Sequence, residues 1–218
     1  MNPKAAVVVY PGTNCDRDTY YALELAGFTP EYVDWHGDVK GYDLVVLPGG
    51  FSYGDYLRAG AVAAREPVSK SVRAYAEKGG LVLGICNGFQ VLMEMGLLPG
   101  GLLENTSGTF ICKWVDLEIT DTDNPFLSRF KQGEKIKLPI AHAFGRYVKV
   151  GDPKVALRYV EDVNGSDEKI AGILSEDKNI FGLMPHPERA MEKLLGWDYG
   201  KNVFLSILDW IRGGNRVV

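Results

Sequence analysis

Four stretches of the chain are apolar at almost every position: Ala5–Tyr10, Leu44–Leu47, Leu81–Leu83 and Ile180–Met184. Unbroken apolar runs of this length fit strands covered on both faces, as in a parallel sheet. Glu31–Val33 is a shorter strand of the same set. Between them the pattern turns helical. Asp16–Ala26 carries Asp16 and Asp18 near its start and Gly27 just past its end. Val68–Lys78 follows Pro67 and stops at Gly79-Gly80. Phe89–Met95 stops at Gly96, and Gly200–Arg212 places Val203, Phe204, Ile207, Leu208 and Ile211 on one stripe. Gly213-Gly214 ends that last helix, and the tail after it is expected to fray.

Strand–helix alternation at this spacing predicts an open, doubly wound, mostly parallel α/β sheet. The second half differs. Phe110–Ile119 mostly alternates, and short strands are expected at Ile136–Leu138, Tyr147–Val150, Val155–Tyr159 and Ile170–Leu174. They read as additional antiparallel β elements on the sheet. No repeat, low-complexity tract or linker divides residues 1–218, so one domain is expected. In doubly wound sheets ligands bind outside the carboxyl ends of the strands. Three loops emerge there: Pro11–Cys15, Gly49–Tyr56 and Cys86–Gly88.

Composition removes several classes. The 218 residues are 46% hydrophobic and 24% charged, enough for an ordinary buried core. Lysine and arginine number 24 against 28 acidic residues, and a net charge of −4 argues against nucleic acid or a membrane surface as partner. The longest charge-free run, residues 79–93, is too short to cross about 30 Å of hydrocarbon. Three cysteines without a C-x-x-C pair argue against a disulfide scaffold or a zinc cluster, so a reducing, cytoplasmic setting is expected and no metal is required.

The densest chemical signal is Gly84-Ile85-Cys86-Asn87-Gly88-Phe89-Gln90, directly after the Leu81–Leu83 run. A strand, a sharp turn and a helix around G-x-C-x-G form the thiol counterpart of the nucleophile elbow. The flanking glycines let neighbouring backbone approach, and Cys86 falls at a helix N-terminus, which favours an anion. A thiol of pKa ≈ 8.5 is only ~3% ionised at pH 7, so such assistance matters. The competing reading is a buried cysteine in a tight turn.

A thiolate enzyme needs a base, and the chain has only His36, His142 and His186. His186 lies in Pro185-His186-Pro187-Glu188, where the prolines force extended backbone on the residues before them. In extended chain, His186 and Glu188 face one side, so the carboxylate can orient an imidazole that activates Cys86. The competing reading is a rigid surface turn. Pro48-Gly49-Gly50 at another strand end offers backbone N–H groups which, with that of Asn87, can bind an oxyanion. It lacks the G-K-[ST] ending of a phosphate loop and the spacing of a dinucleotide site.

The Pro-Gly-Gly loop, the G-x-C-x-G elbow and the late Pro-His-Pro-Glu together resemble the class I, triad-type glutamine amidotransferases. The resemblance covers nearly the whole chain. It implies a flavodoxin-like fold in which Cys86 is the nucleophile, His186 the acid/base and Glu188 its orienter. It further implies an oxyanion hole at Gly50 and Asn87, and glutamine contacts at Gly49 and Gln90. Tyr10–Asp18, Phe51–Gly60, Asn105–Trp114 and Pro139–His142 are more narrowly similar to the glutaminase subunits of a purine-biosynthetic complex. There a small bridging subunit joins the glutaminase to a large synthetase that carries ATP and Mg, and no cofactor sits on the glutaminase itself. Where that pattern has Gly-Glu after the histidine, this chain has Ala143-Phe144.

Other readings weigh less. A deglycase- or peptidase-like cysteine hydrolase of related fold would carry a histidine after the nucleophile, where this chain has Asn87. A non-catalytic module would lack a triad member. Cys15 is a rival nucleophile without the glycine frame, and reads as a packed or pocket-edge thiol. Cys112 reads as structural, His36 as an exposed loop residue, and His142 as either structural or at the edge of the site. Tyr53, Asp55 and Arg58 are solvated loop residues by composition, and pocket or partner-surface residues by resemblance. Trp197 and Tyr199 are expected to pack the last helix.

Overall fold

A computed structural model describes residues 2–213 of the chain. Its centre is a nine-stranded mixed sheet. The parallel half is built from β1 (Lys4–Val9), β2 (Thr29–Asp34), β3 (Leu44–Leu47), β4 (Val82–Ile85) and β11 (Ile180–Leu183), in the order β2-β1-β3-β4-β11. Every residue of β3, β4 and β11 is buried, which explains why these strands read as unbroken apolar runs. Helices α1 (Asp16–Ala26), α2 (Pro67–Glu77), α3 (Asn87–Glu94) and α4 (Gly200–Arg212) cover the two faces. α1 joins β1 to β2 in one direction across the sheet, and α2 joins β3 to β4 in the other. Right-handed crossovers therefore put them on opposite faces. Leu208 of α4 packs beside Gly27 at the end of α1, and the Arg73 guanidinium of α2 donates to the Met95 carbonyl after α3.

The antiparallel half continues from β11 through β10 (Ile170–Leu174), β9 (Lys154–Tyr159) and β6 (Ile111–Ile119) to β7 (Lys135–His142). The expected short strand at Ile136–Leu138 is the middle of this longer one. It runs through Pro139, which a ladder tolerates because β7 is the sheet's edge. One expectation is corrected. The strand sought at Tyr147–Val150 is β8 (Arg146–Val148), and it does not join the large sheet. It pairs with β5 (Gly101–Leu103) in a separate two-stranded ribbon. Three residues of β5 are too few to show a period.

The ends of β1, β3, β4 and β11 lie along one edge of the parallel half. The loops after them carry Pro11–Cys15, Gly49–Gly50, Cys86 and His186. α4 ends at Arg212, with Gly213 as its cap. Gly214 and the tail beyond it lie outside the described residues.

Candidate active site

Cys86 sits between β4 and α3 with φ 50° and ψ −105°, a backbone state costing on the order of 1–3 kcal/mol for a residue with a side chain. Two bonds hold it there. Its N–H donates to the Leu183 carbonyl at 2.8 Å, and its carbonyl accepts from Gln90 N–H at 3.1 Å. The turn needs glycine at position 88, because a Cβ there would overlap the Leu47 carbonyl of β3. The elbow is thus wedged between two parallel strands, with its thiol at the start of a helix.

His186 is buried, and its N–H donates to the Pro139 carbonyl at 2.8 Å, tying the loop after β11 to β7. Its Nδ1 lies 2.6 Å from Glu188 Oε1, itself buried. The local backbone differs from the extended chain expected. His186 is open (φ −105°, ψ 89°), but Pro187–Arg189 forms a 3-10 turn, with proline at its first position. The turn carries Glu188 back to the imidazole. Among the described residues Nε2 has no hydrogen-bond partner. Burial works against the imidazolium, but the Glu188 carboxylate and the Cys86 thiol outweigh it, with Cys15 adding to the effect. The His186 pKa is held well above its ordinary value.

Gly49 marks where these groups converge. A Cβ built on it would lie 2.8 Å from His186 Cε1, 3.1 Å from Cys15 Sγ and 3.4 Å from Cys86 Cβ. The sulfur of Cys15, a His186 ring nitrogen and a Glu188 oxygen lie within 4.8 Å of one another, a spacing that would suit a metal ion. However, Arg189 Nη2 donates to Cys15 Sγ at 3.0 Å. A guanidinium on the sulfur repels a cation, so the cluster fits proton and thiol chemistry better than a metal seat.

Beside Cys86 lies a small cavity, about 80 Å³, lined by Gly50, Phe51, Asp55, Gln90, His142 and Phe144 among others. Gly50 has φ 148°, and a Cβ on it would come 2.6 Å from Asn14 N. Its bridge partner Thr13 uses the neighbouring groups: Asn14 N–H donates to Gly49 O and Phe51 N–H to Gly12 O. Among the described residues the Gly50 N–H is left without an acceptor. Asn87 is the first residue of α3, so its N–H has no acceptor within the helix. The Asn87 side chain accepts from Ser52 N–H at 3.2 Å and donates to Gln90 Oε1 at 2.9 Å. Gln90 Nε2 then donates to the Phe144 carbonyl at 2.7 Å. This chain of bonds ties together the three walls of the cavity.

Residues 2–202 match the family model described as the CobB/CobQ-like glutamine amidotransferase domain. The chain belongs to that family. Among curated amidotransferase relatives, the phosphoribosylformylglycinamidine synthase subunit PurQ of Thermotoga maritima is 62% identical over 212 residues, covering 97% of this chain and all of the relative. The subunit of the same name from Moorella thermoacetica is 44% identical over 234 residues, covering 98% and 99%. A chain in the solved structure of PurLQS from Thermotoga maritima matches with a TM-score of 0.96 at 62% identity, over 97% of this chain and all of that one.

Within this amidotransferase, Cys86, His186 and Glu188 come together, Gly50 and Gln90 border one cavity, and Asn87 is bonded to Gln90 beside it. Gly49 stands behind the thiol, and its carbonyl accepts from Cys15 N–H at 3.1 Å. Cys15 is buried against His186, at the edge of the site as expected of a packed thiol. Cys112 is exposed, against the structural reading, because the start of β6 is uncovered on both faces, with Cys112, Lys113 and Trp114 all exposed. Trp197 is 42% exposed and stacks at 5.8 Å on Tyr199, the residue that caps the start of the last helix. His36 is exposed and His142 buried. Arg58 is exposed and pairs with Glu94. The sequence reading missed Arg189. Its position directly after Pro-His-Pro-Glu was the available signal, but a lone arginine there has no pattern of its own.

Proposed function

We propose that the chain is the glutaminase subunit of phosphoribosylformylglycinamidine synthase, hydrolysing glutamine and delivering ammonia to the synthetase. The observation that carries this reading is the strained Cys86 beside an imidazole braced by Glu188 at 2.6 Å. Family membership and the names of full-length relatives support the particular synthetase.

In the first step the Cys86 thiolate attacks the carboxamide carbon of glutamine, and a C–S bond forms. The carbonyl oxygen gains the charge and rests on the Gly50 and Asn87 N–H groups. The His186 imidazolium gives its proton to the departing nitrogen, the C–N bond breaks, and ammonia leaves a glutamyl thioester. His186, now neutral, takes a proton from water. The resulting hydroxide attacks the thioester, releasing glutamate and restoring the thiolate. Gly49 and Gln90 shape the glutamine pocket, and the reaction needs no metal or cofactor on this chain. Residues 1–218 act as one amidotransferase domain.

The ammonia passes to a large synthetase subunit, joined through a small bridging subunit. With ATP and Mg on that partner, formylglycinamide ribonucleotide becomes formylglycinamidine ribonucleotide. The complex works in the cytoplasm, without nucleic acid or membrane. Among the described residues no helix is long and apolar enough to cross a membrane.

The test is glutamate release by the complex assembled with both partner subunits. Wild type should turn over and Cys86→Ala should not. Equal rates would overturn the assignment of Cys86.

A further inference from the structure

The cavity beside Cys86 contains one carboxylate that the hydrolytic steps do not use. Asp55 Oδ1 is shielded from solvent and has no hydrogen-bond partner among the described residues. A buried carboxylate oxygen without a donor is costly, so its retention calls for an explanation. Burial raises the Asp55 pKa, and no lysine or arginine lines the cavity to offset the charge.

The one imidazole there cannot serve as a counter-charge. Asn105 Nδ2 donates to the carbonyls of Thr109 at 3.0 Å and His142 at 2.8 Å, which fixes the amide's orientation. Asn105 Oδ1 therefore faces His142 Nδ1 at 3.1 Å as an acceptor, and Nδ1 carries the proton. His142 Nε2 is left as a buried lone pair without a partner. Burial, helped by the charge of His186, pushes the His142 pKa down to about 4, so the ring is neutral at physiological pH. The cavity thus holds a carboxylate and a second bare acceptor, with no donor side chain free to meet them.

The loop is built to keep Asp55 there. Tyr53, Asp55 and Leu57 all have positive φ, at 53°, 56° and 68°. The segment is pinned by Tyr53 N–H to the Pro11 carbonyl at 2.7 Å, Tyr53 OH to Glu66 at 2.7 Å and Ser52 N–H to Asn87. Three strained residues in five, held by bonds from three sides, indicate a side chain aimed on purpose.

We propose that Asp55 is the residue that receives the α-ammonium of glutamine, with the lone pair of His142 as a second acceptor. This rests on the glutaminase reading and adds to it the group that selects an α-amino acid over a simple amide. An ammonium has three donors and no acceptor, the complement of what the cavity offers. Asp55 lines the same cavity as Cys86, where the carboxamide is placed, so the rest of the substrate shares that cavity with its carboxylate.

The test compares glutamine with 4-carbamoylbutanoate, the same molecule without its amino group, in the complex with both partner subunits. Asp55→Asn should raise KM for glutamine on the order of 10- to 100-fold, the worth of one charge-assisted hydrogen bond, with kcat little changed. It should leave kcat/KM for 4-carbamoylbutanoate unaltered, so that discrimination between the two substrates collapses. Alkylation of Cys86 by chloroacetamide, which has no amino group, should proceed at the wild-type rate in Asp55→Asn and so report an intact site. Wild-type KM in a variant with that intact site would overturn the inference alone. An equal fall of kcat on both substrates would also overturn it, placing Asp55 on the product ammonium instead. Absence of glutamate from wild type itself would remove the glutaminase reading, and this inference with it.

Discussion

Glu188 Oε1 reaches His186 Nδ1 at 2.6 Å across a single 3-10 turn, and both side chains are closed off from solvent. An anion so placed fixes the ring's tautomer and lets it hold a proton against burial.

The first prediction concerns that proton. With Glu188 ionised, the His186 pKa stands well above its ordinary value. Removing the negative charge lowers it. The alkaline limb of the kcat/KM profile, where the imidazolium loses its proton, should therefore move to lower pH in Glu188→Gln. Maximal kcat should fall roughly 10²- to 10⁴-fold. A pH–rate series on both proteins checks this, and an unmoved alkaline limb would assign Glu188 a merely structural role.

Gly50 supplies a second test. Its φ of 148° and the 2.6 Å approach of Asn14 N leave no room for a side chain, so Gly50→Ala must move the peptide that carries the unpaired N–H. If that group binds the oxyanion, kcat should drop on the order of 10²- to 10³-fold while KM changes far less. Thermal unfolding of the variant, measured in parallel, separates this from global loss of structure.

The parallel core and the elbow were legible because both are local patterns. Asp16–Ala26, Leu44–Leu47 and Gly200–Arg212 begin and end where periodicity and glycine or proline stops put them. The two ends of the triad were readable for the same reason, each being a short motif. What escaped depends on contacts between distant segments. The meeting of Cys15 with Arg189 spans 174 positions, and the ribbon of β5 and β8 joins two three-residue strands. Asp55 is a solvated loop aspartate by composition, and only the resemblance brought it to the pocket or the partner surface. Cys112 was misread because the pattern along β6 does not show where cover begins, and burial starts only at Val115.

His142 predicts an acid sensitivity of folding. Its native pKa is about 4, below the ~6.5 of an unfolded histidine. Between those values the unfolded chain binds the proton and the native one does not, so stability rises with pH across that window and is lost as pH falls through it. The full difference is on the order of 3 kcal/mol. In His142→Asn, whose amide can still donate to Asn105 Oδ1, urea midpoints should fall less steeply from pH 6.5 to 4 than in wild type. Parallel curves would show that His142 is not held neutral.

The Asn87 side chain joins the loop of Asp55 to the helix of the nucleophile through Ser52 N–H and Gln90. Asn87→Ala removes both bonds while leaving the main-chain N–H at the elbow in place. The Ser52 amide should then exchange with deuterium faster, and KM for glutamine should rise more than kcat falls. Unchanged exchange at Ser52 would mean that the loop is held by its Tyr53 bonds alone.

The last prediction separates the three thiols. Cys86 borders the cavity, whereas Cys15 is buried behind Gly49 with Arg189 on its sulfur, and Cys112 is exposed on β6. An electrophile built on the glutamine skeleton enters through the cavity and meets Cys86 first. It should label Cys86 with a stoichiometry near one, and excess glutamine should protect. A small alkylating reagent without that skeleton should also modify Cys112, and glutamine should not protect that site. Cys15 should resist both until the chain unfolds, because its sulfur is reached only through the packed groups of His186 and Arg189. Peptide mass mapping decides each case. Glutamine-protected labelling of Cys15 in the native complex would reverse the assignment of nucleophile and neighbour.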